Sequence, residues 1–300
     1  MYRFAICLTL LGCAADPAED DGLGRDEPTV GTVAPPSTAS IEEVVAWLDR
    51  ELPVRSPGTD LSITVEDLDI RVRVSLRGDA QHVSASSAKA WWVAAAIDGA
   101  GIDAVAPYAD PIFRNSDNSA SGSVIDLIGP NAVNSWMWNV AGMTNSALTQ
   151  WSYDKTRIAT NSPRALGGDN YMTSDDAVTF LGRVYRGEIL GANGPELLDW
   201  MTLSPNSGLG GWIPARLPPD LQGSVMHKAG WLPPGCCSSD AYYNTSNDIG
   251  IVSTPFGRSF AIAILARRGV DYDGAQTPFV ELASCLVYRA FVQDDQIACE

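Results

Sequence analysis

The chain has 300 residues, 45% hydrophobic and 19% charged, a balance that supports a sizeable core and excludes a disordered polypeptide. A formal net charge of −16 argues against nucleic acid as a partner, because phosphates need a basic surface, and any anionic substrate must be held by a local cation. With two histidines and no C-x-x-C spacing there is no basis for a metal site, and no cofactor is expected.

Residues 1–12 read as an export signal: Arg3 supplies the positive start, and Phe4 to Leu11 is an apolar run too short to span a bilayer. The run ends in Leu10-Leu11-Gly12-Cys13, which resembles the lipobox of bacterial lipoproteins. That resemblance implies a lipid on Cys13 and an exported protein anchored to a membrane, periplasmic or at the cell surface. Residues 13–39 carry six carboxylates, among them Asp16, Glu19 and Asp26, four prolines, and little to bury. They predict a flexible acidic tether ahead of a single domain over residues 40–300.

Ser40 and Glu43 form a capping-box pattern before Ile41, Val44, Val45, Leu48 and Leu52, which predicts a first helix to about Leu52. Leu61, Ile63 and Val65, then Ile70, Val72, Val74 and Leu76, alternate at period two and predict an antiparallel hairpin. From Ser86 to Ile97 the pattern becomes a helix apolar on all sides, hence a core helix. Ser119–Ile128 and Asn131–Ala141 read as helices split by Gly129-Pro130. Tyr153–Tyr171 has no sustained period and reads as a long ordered loop. Thr173 and Asp176 then cap a helix to Ile189, and Pro195 opens a short one through Trp200. Strands return at Ser224–Lys228, Ile249–Ser253 and Phe260–Leu265, before a last helix from Thr277 and Pro278. Strands from both ends of the chain around a helical middle predict an α+β fold. One antiparallel sheet is flanked by the N- and C-terminal helices, with an all-helical lobe inserted (about 83–214, against about 40–82 and 215–300).

Four cysteines remain once Cys7 and Cys13 are set aside: Cys236, Cys237, Cys285 and Cys299. In an exported chain they read as two disulfides with three connectivities, the bridge between neighbours being disfavoured by geometry. The expectation is that Cys236 and Cys237 each pair with Cys285 or Cys299.

The chemistry centres on Ser86 and Lys89, which stand one helical turn apart on one face. A serine hydroxyl is a weak nucleophile until a base lies in reach, and a lysine desolvated beside another cation can serve as that base. Two further motifs follow in order. Ser116-Asp117-Asn118 precedes a helix, and His227-Lys228-Ala229-Gly230-Trp231 lies on a strand. From about Ser40 onward the chain resembles the class A β-lactamase-like serine hydrolases of the penicillin-binding superfamily, whose signature is S-x-x-K, S-D-N and K-T-G.

The resemblance implies Ser86 as the acylated nucleophile, Lys89 as its proton acceptor, and Ser116 as the relay to the leaving nitrogen. Asn118 would bind the substrate amide and brace Lys89. Lys228 would hold a substrate carboxylate beside Ala229 and Gly230, with the Ser86 and Trp231 N–H groups as oxyanion donors. Two departures stand out. Class A enzymes carry a loop glutamate that activates the deacylating water, whereas the carboxylates between Tyr153 and Tyr171 are Asp154 and Asp169 alone. Ala229 replaces a hydroxyl that helps bind the carboxylate. His82 and His227 lack any triad pattern and read as hydrogen-bonding or packing residues. The implied substrate is a small β-lactam or a peptidoglycan-like peptide. The functions in contention are β-lactam hydrolysis, a D-alanyl-D-alanine carboxypeptidase or esterase, and a non-catalytic muropeptide-binding lipoprotein.

Overall fold

The computed structural model describes residues 33–36, 39–150, 158–162, 169–233, 244–268 and 276–299. The expected signal, the lipobox, most of the tether, Asp154, Cys236 and Cys237 lie outside the described residues. In chain order the elements are α1 (Ile41–Arg55), β1 (Thr59–Asp67), β2 (Arg73–Leu76), β3 (His82–Val83), a 3₁₀ turn (Ala85–Ala88), α2 (Lys89–Ala100), α3 (Ile102–Asn115), α4 (Asn118–Ile128) and α5 (Pro130–Trp136). Then follow a π turn (Met137–Ala141), β4 (Tyr171–Met172), α6 (Ser174–Tyr185), α7 (Gly194–Met201), α8 (Pro219–Gln222), β5 (Met226–Leu232), β6 (Asn244–Ser253), β7 (Ser259–Arg268) and α9 (Gln276–Val292).

Five strands form one antiparallel sheet in the order β2-β1-β7-β6-β5, and β3 pairs with β4 beside it. Period-two alternation divides the molecule into two cores. On β7, Ile262 and Ile264 join Leu61, Ile63 and Val65 of β1 under α1 and α9, where Leu48, Val280 and Leu286 are buried. The intervening Ala261, Ala263 and Leu265 face the helical core with Trp91, Phe180 and Met201. Small side chains at Ala261 and Ala263 let α6 lie close on that face. Phe180 fixes the middle of the helical core through edge contacts with Trp91 and Trp136, at centroid distances of 6.4 and 6.3 Å.

The capping box at Ser40 and Glu43 is formed, and α1 runs past Pro53 to Arg55. The first hairpin is shorter than its alternation suggests: Ile70 and Val72 lie outside the strands, 66% and 49% exposed. Asp67 is the reason, because its Oδ1 accepts the N–H groups of Asp69 (3.0 Å) and Ile70 (3.2 Å), while Arg71 turns the chain at φ 59°. Between Ile97 and Ser116, where sequence reasoning names no element, α3 forms with Pro107 and Pro111 inside it. Its buried face, Val105, Ala109, Ile112 and Phe113, nonetheless keeps helical spacing. Helix α6 stops at Tyr185 rather than Ile189, where Gly187 takes φ 67°.

The disulfide expectation is corrected. Cys285 and Cys299 bond to each other, with Cα atoms 5.6 Å apart and a sequence separation of 14. The chain reverses after α9, and Arg216 Nη1 donates to the Cys299 carbonyl at 2.8 Å, which brings the tail back along the helix that carries Cys285. Among the described residues, no helix is long and apolar enough to cross a membrane. No cluster of metal-ligating side chains occurs among them either.

Candidate active site

The nucleophile turn is held from several directions. The β3–β4 pairing sets Val83 opposite Tyr171, and Ser84 N–H donates to the Asn170 carbonyl at 2.9 Å. Ala85 then adopts φ 47°, a left-handed conformation that costs a residue with a Cβ about 1 kcal/mol. Ser86 follows it directly. From β6, the buried Asn247 donates Nδ2 to the carbonyls of Val83 (2.7 Å) and Ser84 (3.4 Å), while its Oδ1 accepts the Ala266 N–H of β7 at 3.2 Å. The amide therefore ties the sheet to the turn ahead of the nucleophile.

Strand β5 is the sheet edge that meets this turn. Gly230 is required there by proximity. A Cβ at this position would lie 2.5 Å from the Ser87 nitrogen and 2.9 Å from both the Ser86 nitrogen and the Ser84 oxygen. Ser86 N–H and the next residue of the edge strand, half-buried Trp231, are thus neighbours.

Lys89 opens α2 and is 2% exposed. Its Nζ donates to the Ser116 carbonyl, to Ser116 Oγ at 3.1 Å and to Asn118 Oδ1 at 2.7 Å. Among the described residues no hydrogen bond joins it to Ser86 Oγ, one turn away. Ser116 reaches Lys89 because it caps α3 in the left-handed region, at φ 52°. Asp117 turns away to cap α4, accepting the Ala120 N–H at 2.6 Å. Burial, reinforced by the charge of Lys228, pulls Lys89 down to about 7, with Asp117 opposing. Lys228 is 2% exposed and donates to the Ala229 carbonyl at 2.9 Å. Burial lowers it to about 8, with Asp248 opposing. The structure thus brings Ser86, Lys89, Ser116, Asn118, Lys228, Gly230 and Trp231 to one place, whereas the Ala229 side chain is buried in the core under α1 and α9.

Asp169 Oδ1 accepts the N–H of its neighbour Asn170 at 2.7 Å. Asn170 in turn accepts from Thr149 (2.7 Å) and Gln150 (3.1 Å), fixing the end of the loop. His82 is buried away from this constellation, with Nε2 2.8 Å from Ser62 Oγ of β1. Sequence reasoning missed Ala85, Asn170 and Asn247. A buried asparagine in a strand was the one available signal, since strands disfavour that residue unless its amide has partners.

The sequence model of the β-lactamase enzyme family matches residues 111–291, well over half of the chain. The chain belongs to the β-lactamase enzyme family. No curated protein matches it at a significant level. Among solved structures it is similar to PBP-A, with a TM-score of 0.66 and 20% identity over 86% of this chain and 99% of that one. It is also similar to the TLA-1 extended-spectrum β-lactamase, with a TM-score of 0.69 and 17% identity over 85% of this chain and 100% of that one. The ancestral class A β-lactamase of Gram-negative bacteria gives a TM-score of 0.65 and 19% identity over 84% and 100%. At these identities the likeness concerns the fold: a mixed α/β fold with an antiparallel sheet, that of class A β-lactamases and penicillin-binding relatives.

Proposed function

We propose that the chain is a serine hydrolase that opens β-lactam-type amide bonds through an acyl-Ser86 intermediate. The observation that carries this reading is a buried Lys89, lowered to about 7, which contacts Ser116 and Asn118 one turn from Ser86. In its neutral form Lys89 accepts the Ser86 proton as Oγ attacks the carbonyl carbon. The oxyanion that forms is met by the N–H groups of Ser86 and Trp231. Ser116 passes a proton to the leaving nitrogen as the amide bond breaks, and water later cleaves the ester to free Ser86 and an acid. Lys228 holds the substrate carboxylate.

A specific observation favours a second reading with the same nucleophile. The loop before α6 has no glutamate to activate the deacylating water, and the Asp169 carboxylate accepts the N–H of Asn170. Slow deacylation suits a D-alanyl-D-alanine carboxypeptidase or an esterase that reacts with penicillin and keeps it. One of the similar structures is a point mutant of PBP-A as an acyl-enzyme complex with penicillin G. By analogy, we expect a penicillin adduct here as well. We further propose that the mature protein is an exported lipoprotein anchored through Cys13.

Time-resolved intact-protein mass spectrometry with penicillin G tests both readings, with Ser86→Ala as the control. An adduct that decays within minutes supports lactam turnover, and a persistent one supports the penicillin-binding hydrolase. A folded parent that forms no adduct overturns both penicillin-reactive readings and leaves an esterase, another peptidase or the non-catalytic muropeptide binder.

A further inference from the structure

Asn247 is a polar residue at a core-facing position of a strand. On β6 it shares a face with Ile249 and Ile251, which are buried in the helical core, and it is itself fully buried. Strands disfavour asparagine, and a buried amide is costly unless its donors and its acceptor are used. Here all are used. Oδ1 accepts the Ala266 N–H, and Nδ2 donates to the Val83 and Ser84 carbonyls. A main-chain N–H can only donate and a carbonyl can only accept, so these partners leave the amide one orientation.

The two acceptors are successive carbonyls, and that selects a conformation. In an extended strand they point to opposite sides, where one amide nitrogen cannot meet both. Val83 ends β3, and Ser84 has already turned, with φ −73° and ψ −26°, which brings both carbonyls to Nδ2. The Asn247 amide therefore fits the chain only once it has left β3 for the turn that Ala85 continues at φ 47°. Gly230, the cross-strand partner of Asn247, supplies the room, since a Cβ on it would strike the Ser84 oxygen and the Ser86 and Ser87 nitrogens. Two other contacts hold the turn from elsewhere. Ser87 Oγ donates to the Ser84 carbonyl from within it, and the Ser84 N–H donates to the Asn170 carbonyl ahead of β4. Asn247 joins the turn to the five-stranded sheet.

We propose that Asn247 is a positioning residue for the nucleophile: by clamping the Val83 and Ser84 carbonyls it holds Ala85 in the left-handed region, and through Ala85 it sets the direction of the Ser86 N–H and the place of Ser86 Oγ. The proposal deepens the acyl-Ser86 reading and rests on it for its catalytic meaning. A residue with a Cβ leaves the left-handed region when nothing holds it there, and that rotation re-aims the peptide carrying the Ser86 N–H. An oxyanion donor works only when it is aimed before the reaction begins.

The decisive experiment is a double-mutant cycle of Asn247→Ala and Ala85→Gly, read by stopped-flow acylation with penicillin G and by the infrared band of the penicilloyl ester carbonyl. In the parent background Asn247→Ala should slow acylation about tenfold or more and move the ester band to higher frequency, as loss of an aimed donor does. Glycine takes the left-handed region without penalty, so in the Ala85→Gly background the same substitution should cost about threefold or less. Equal costs in the two backgrounds, or a band that stays in place, overturn the proposal. Where Asn247→Ala alone does not fold, the double variant decides: folding with acylation near the Ala85→Gly rate supports the proposal, and failure to fold overturns it. A parent that never acylates defeats the hydrolase reading instead, and the unfolding midpoints of the four proteins then judge the hold on Ala85. A smaller loss from Asn247→Ala in the glycine background supports that hold, and an equal loss overturns it.

Discussion

Gly230→Ala is the sharpest probe of the site's geometry, because what the new methyl group meets is backbone rather than a side chain that can swing away. The Cβ would sit 2.5 Å from the Ser87 nitrogen and 2.9 Å from the Ser86 nitrogen and the Ser84 oxygen. Ordinary contact needs about 3.4 Å or more, so β5 and the nucleophile turn must part by roughly 0.5–1 Å. The two proposed oxyanion donors lie on opposite sides of that gap. Losing one such donor costs about 3 kcal/mol of transition-state stabilisation, a fall of about a hundredfold or more in acylation rate. Edge strands yield more readily than core strands, so the stability loss should be smaller, about 1–2 kcal/mol. Stopped-flow acylation with a penicillin, paired with thermal unfolding, measures the two separately. A variant that acylates within about threefold of the parent would refute the claim that the edge strand and the nucleophile turn form one rigid unit.

Three further outcomes are expected. Acylation should rise with pH through about 7 as Lys89 loses its proton and fall above about 8 as Lys228 loses its own; stopped-flow rates across pH give both limbs, and Lys89→Met should remove the first together with at least a hundredfold in rate. Burial holds His82 near 4 against 6.5 when unfolded, so the unfolded chain takes up a proton the folded one refuses. Stability is then full above about pH 6.5 and declines toward pH 4 by up to about 3 kcal/mol; urea titrations of the parent and His82→Asn check it, and equal slopes would exclude His82 as the cause. Replacing Cys285 by serine should cost about 3 kcal/mol by the chain-entropy estimate for a loop of this length, read as a lower unfolding midpoint that reducing agent reproduces in the parent.

The motifs were legible because their chemistry dictates residue types at fixed spacing: Ser86 and Lys89 one turn apart, Ser116-Asp117-Asn118 at a helix start, and Lys228 on a strand. A period-two run located β1, the strand-like stretches Ile249–Ser253 and Phe260–Leu265 located β6 and β7, and the capping residues located α1 and α6. What the sequence concealed depends on tertiary contacts. The left-handed Ala85 carries no glycine to announce it, and the turn around it is held by Asn247, more than 160 positions away in the chain. Ile70 and Val72 continue an alternation that Asp67 interrupts with its own side chain. Helix α3 went unnamed although its buried face is regular, with Pro107 and Pro111 inside the helix. The cysteine pairing turned on where the chain reverses after α9, which no spacing encodes.

The nucleophile turn leans on β6, whose neighbour β7 pairs with β1 from Thr59↔Arg268 to Asp67↔Phe260. That central ladder joins strands far apart in the sequence, so the sheet cannot close until β7 has been made. A growing polypeptide therefore carries Ser86 before it carries the strands that hold the turn around it. Under the proposed acyl-Ser86 mechanism, a penicillin adduct on Ser86 would serve as a readout of molecules whose sheet has closed.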